Sequence, residues 1–90
     1  MAIIGYQTAA TGGEYSNHAT LRAARAELFR LVQAGHKLVA VYSRLSEGGI
    51  GKIFAETKAH WEMYPTKKLP LHVRSVEAEL AKRRAHARAA

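Results

Sequence analysis

Apolar residues recur along this chain with two different periods. Between Asn17 and Ala34, Leu21, Ala24, Leu28, Leu31 and Val32 fall mostly three and four apart, which lays one apolar stripe along a helix. Ser16 or Asn17 offers a side-chain oxygen to cap the first free N–H groups, and Gly35 suits the left-handed position just past the end. Ahead of this helix, Ala2 to Ala9 carries the strand formers Ile3, Ile4 and Tyr6 and stops at Thr11-Gly12-Gly13. The chain then loops through Glu14, Tyr15 and Ser16. From Lys37 to Arg44 both alternating sets are largely apolar, Val39 and Val41 against Leu38, Ala40 and Tyr42. A strand of that kind is central and covered on both faces.

Residues Ile50 to Tyr64 fit both periods. As a helix, Ile50, Ile53, Phe54, Thr57, Trp61 and Tyr64 share an arc of about 100°, the width of a core-facing stripe. As a strand, Ile53, Ala55, Thr57, Ala59 and Trp61 share one face, with Ser46-Glu-Gly-Gly49 as a hairpin turn. Ala55, Glu56, Lys58, Ala59, Glu62 and Met63 favour helix and Pro65 stops one, so helix is the preferred expectation. It places Phe54, Trp61 and Tyr64 in the core. After a linker from Pro65 to Pro70, a last helix runs from Leu71 to Ala87 on Val73, Val76 and Leu80. Arg83 and Arg84 occupy the next seam positions, so core packing ends near Leu80.

These elements predict a small α+β domain ordered β-α-β-α-α. The alternative, with residues 50–61 as the second strand of a hairpin with 37–45, is β-α-β-β-α. Two strands are few for a sheet, so a further strand or pairing between two copies would complete it. Residues 1–80 form a single globular domain and 81–90 a basic helical extension.

Charge changes the picture most. Fourteen Lys and Arg face seven acids, all Glu, for a net charge of +7, and from Lys67 onward seven basic residues face only Glu77 and Glu79. Such a field attracts DNA, RNA, a nucleoprotein or an acidic protein face. The candidate contacts are Arg22 and Arg25 on the first helix, then Lys52, Lys67, Lys68, Arg74, Lys82, Arg83, Arg84 and Arg88. Tyr15 is the freest ring on which a base could stack. Cysteine is absent, which excludes disulfides and thiolate metal sites. No apolar run is long enough to span a membrane, and Met1 to Gln7 lacks the basic and apolar regions of a signal peptide, so a cytoplasmic location is the default expectation.

The loop Glu47-Gly-Gly-Ile-Gly-Lys-Ile53 carries the one motif-like pattern. It resembles the Gly-Gly-x-Gly-Lys core of deviant P-loop ATPases. That resemblance implies phosphate contact through Lys52 and glycine N–H groups at the start of a helix. It departs at both ends, with Glu47 where that family has lysine and Ile53 in place of the magnesium-binding hydroxyl. With no Asp anywhere for a second magnesium ligand, hydrolysis is not expected, and phosphate binding by Gly48 to Lys52 is the weaker reading.

The histidines His18, His36, His60, His72 and His86 show no i, i+4 pair, so no zinc site is expected, and a Ser-His-Asp triad is excluded without Asp. No cofactor or catalytic residue is assigned. The expected function is that of a non-enzymatic binding protein for nucleic acid or a nucleoprotein, using the first and last helices. The alternative is an inhibitor or adaptor of the phage or plasmid accessory type, anti-CRISPR proteins included, docking on an acidic face of a larger machine.

Overall fold

The computed structural model describes residues 2–65 and 68–89. The chain folds as β1 (Ile3–Ala10), β2 (Tyr15–His18), α1 (Leu21–Gln33), β3 (Val39–Leu45), β4 (Ile50–Glu56), α2 (Lys58–Met63) and α3 (Leu71–Ala89). The class is α+β, as expected. The order is β-β-α-β-β-α-α, around one antiparallel sheet of four strands in the order β2-β1-β3-β4.

Two expectations are corrected. The first concerns the segment before α1. Gly12 and Gly13 hold φ of 112° and 94°, a region open to glycine without a Cβ penalty, and turn the chain back on itself. Residues 15–18 therefore pair with β1 instead of looping, Thr8 opposite Ser16 and Tyr6 opposite His18. The helix starts four residues later than its stripe suggested, capped by Thr20, whose Oγ1 accepts from the N–H of Ala23 at 3.1 Å. Its far end closes as expected: Gly35 sits at φ 107°, and the N–H groups of Gly35 and His36 bond the carbonyls of Val32 and Leu31.

The second correction concerns residues 50–64, where the preferred helix is replaced by the hairpin alternative. Gly48 and Gly49 hold φ of 96° and 79°, and β3 returns as β4 with Ala40 opposite Glu56 and Val41 opposite Ala55. Thr57 ends the strand and begins the short helix α2. Its Oγ1 donates to the Lys37 carbonyl at 2.8 Å and accepts from the N–H of His60 at 3.3 Å. The helical preferences of Ala55 and Glu56 yield to pairing with β3. Phe54 and Trp61 are half-buried, while Tyr64, past the end of α2, is 66% exposed and not a core residue.

β3 is the central strand anticipated from its apolar run, with Val39, Ala40 and Val41 fully buried. The core lies between the sheet and the inner faces of α1 and α3. Ala24, Leu28, Phe29 and Leu31 meet Ala10, Val39, Val41 and Ala55, with Val76 and Leu80 from α3. Each large side chain removed from water here contributes about 1.5–3 kcal/mol before chain entropy is counted. Thr8, buried among them, donates its hydroxyl to the Ala24 carbonyl at 2.7 Å and ties β1 to α1. On α3 the buried stripe of Val73, Val76 and Leu80 stops where expected, and Ala81 to Ala87 are exposed.

Candidate nucleic-acid interface

On α1, Arg22, Arg25, Ala26 and Phe29 follow one another at helical spacing, so they share a side of the helix. On α3, Ser75, Glu79 and Arg83 are each four apart and do the same. The two rows face each other across an open groove of about 440 Å³, lined by Leu21, Arg22, Arg25, Ala26, Phe29, Glu79 and Arg83. Phe29, itself buried, forms part of its wall. The Arg83 guanidinium lies 4.5 Å from the ring centroid and that of Arg25 5.7 Å, so two cations rest on one aromatic side chain. Further bonds orient both. Arg25 Nη2 donates to Ser75 Oγ at 3.4 Å, and Arg83 Nε donates to Glu79 Oε2 at 3.0 Å. Three guanidiniums face one carboxylate.

The groove continues along α3 into a recess of about 380 Å³ lined by Gln33, Lys82, His86 and Ala87, with Glu79 and Arg83 shared between the two. Arg84 lines two further recesses, one with Lys37, Lys58 and Glu77 and one with Gln33 and Arg83, and is not part of the groove. Among the described residues, Arg22, Lys82 and Arg84 have no ion-pair partner. Arg83 does, in Glu79, so part of the charge at this end of α3 is answered internally. Glu77 is also engaged: its carboxylate accepts from the N–H of Lys58 at 3.1 Å, at the start of α2.

The remaining sequence candidates do not converge on the groove. Lys52 is exposed on β4, its ammonium 5.6 Å from the Phe54 ring centroid. Arg74 is exposed in the first turn of α3, and Lys68 is exposed between α2 and α3. Tyr15 is not a loop residue but the first residue of edge strand β2, and is 64% exposed. Lys67 and the Arg88 side chain lie outside the described residues. The glycine loop feeds a strand, not a helix: Gly48 and Gly49 form the β3–β4 turn, while Gly51 and Lys52 belong to β4. The row of free helix N–H groups that would hold a phosphate is therefore not there.

Sequence reasoning overlooked two features. One is Phe29, although Arg25 four residues earlier already placed a cation over its ring. The other is a buried polar network. The Glu56 carboxylate, 3% exposed, accepts from His60 Nδ1 at 2.6 Å and from His72 Nε2 at 2.9 Å. His60 Nε2 in turn lies within hydrogen-bond distance of the Tyr42 hydroxyl, at 3.3 Å. Burial first, then the negative charge of Glu56, pushes the Tyr42 phenol up from its ordinary value and keeps it a donor. Glu56 and His60 are four apart, but the strand–helix boundary at Thr57 falls between them, which hides the pair from a periodicity argument. The network joins β3, β4, α2 and the start of α3.

Comparison with known proteins finds no matching family model, no matching curated protein and no matching solved structure.

Proposed function

We propose that this protein is a non-enzymatic binding protein for nucleic acid, with the α1–α3 face as its contact surface. The observation that supports the reading most is the meeting of Arg22, Arg25 and Arg83 in one open groove, with Lys82 next along the same helix. Cations gathered on one side, with a single carboxylate among them, act together on a polyanion and release its condensed counterions. Arginine suits the task because its planar fork matches phosphate oxygens and its charge persists at any working pH.

Fluorescence anisotropy with a labelled oligonucleotide, repeated across a salt series, tests this directly. With three to four phosphates neutralised, log K should fall against log salt with a slope of about −2 to −3. Joint replacement of Arg22, Arg25 and Arg83 by Ala should weaken binding by about a hundredfold and flatten that slope. Absence of binding by the wild-type protein at about 50 mM salt would remove the reading. A stoichiometric complex captured from a lysate that survives nuclease would move the same cations onto an acidic protein surface.

A further inference from the structure

Building on that reading, we infer that the groove takes single-stranded nucleic acid, one nucleotide turned inward, in preference to a duplex. The first reason is the lining. Leu21 and Ala26 line the groove beside Arg22, Arg25 and Arg83, and an arginine brings an aliphatic stem as well as a charged head to such a wall. A duplex keeps its bases inside and presents phosphates along its rim, so an apolar floor offers it nothing. A single strand turns a base or sugar outward, and such a floor accepts it.

The second reason is size. About 440 Å³ falls within the range of pockets that hold one small ligand, and the adjoining recess of about 380 Å³ shares Arg83 and Glu79 with it. Two linked recesses of that size suit consecutive nucleotides. Lys82 stands in the second recess for the next phosphate, and the amide of Gln33 can donate to or accept from a base edge.

The third reason is preorganisation. Phe29 holds Arg25 and Arg83 against one ring, and Ser75 and Glu79 each occupy one donor of the pair. The other guanidinium N–H groups remain to grip a phosphate between them, and the guanidinium planes offer bases a stacking surface. Phe29 is a positioning residue in this arrangement: it touches the arginines, not the ligand. A lysine at position 25 or 83 keeps the charge but loses both the planar stack and the fork.

The test compares a labelled 12-nucleotide single strand with the duplex of the same sequence, at fixed salt, on wild type and on Arg25→Lys and Arg83→Lys. Both changes preserve net charge and lie outside the core, and circular dichroism checks the fold. The expected result is at least about tenfold tighter binding of the single strand by wild type. Each lysine variant should lose about fivefold on the single strand and less than about twofold on the duplex, where only the preserved charge counts. Equal or tighter duplex binding, or lysine variants that match wild type, overturns the inference and leaves the wider nucleic-acid reading standing. If neither probe binds wild type, both fall together.

Discussion

Glu56 is the residue on which most of the chain's buried polar chemistry converges. Its two carboxylate oxygens serve two imidazoles that come from different helices, and Tyr42 completes the series from β3. Removing the carboxylate strands the N–H of buried His60, while that of His72, whose side chain is 27% exposed, turns to water. Glu56→Ala should therefore cost about 2–4 kcal/mol by urea unfolding, far above the cost at an exposed glutamate such as Glu62. Glu56→Gln, which retains one accepting oxygen, should fall between. Elsewhere single acids have smaller duties. Glu27 accepts both from Arg30 and from Ser16, and the Arg30 bond holds its carboxyl below the ordinary 4.5.

Among elements, the β3–β4 hairpin carries the sharpest contrast between pattern and outcome. Residues 50–64 fit a helix and a strand alike, because Ile53, Thr57 and Trp61 belong to both periods. Two glycines in succession decide the matter, since only a residue free of Cβ adopts φ of 96° and 79° cheaply. Gly48→Ala should destabilise the fold by about 1–2 kcal/mol, read from the shift of a thermal or chemical melt. Gly51 acts differently: a Cβ there would stand 2.7 Å from Ser43 Oγ, so its smallness serves packing between strands. The stripe of α1, the apolar run of β3 and the Val73, Val76, Leu80 stripe of α3 were legible without coordinates. β2 was not, because Tyr-Ser-Asn-His carries no apolar alternation and becomes a strand only by pairing with β1. The candidate site divides in the same way. Arg22, Arg25 and the cations of α3 could be read as exposed positive charge. That Arg25 and Arg83 meet over Phe29 depends on how two distant helices dock.

At the scale of the whole molecule, α3 divides core packing and much of the groove's charge between successive lengths of one helix. Among the described residues, Leu80 is the last buried one of α3, and beyond it the helix supplies Lys82, Arg83 and Arg84. A chain ended at Ala81 should keep a cooperative melt, losing about 1 kcal/mol with the Arg83–Phe29 stack. The same chain should bind an oligonucleotide more than about tenfold more weakly, with a shallower salt dependence. A truncated protein that fails to fold, or that binds as tightly as the full chain, would contradict this separation.

β1 leaves the ribosome before the other three strands, yet it belongs in the middle of the sheet. Its near neighbour β2 follows at once, but its other side stays open until α1 and then β3 have been synthesised. For that interval the nascent hairpin presents unsatisfied amides beside Ile3 and Ile4, an invitation to pair with another unfinished chain. Overexpression yield should thus be governed less by the finished fold than by how quickly translation delivers Val39 to Leu45.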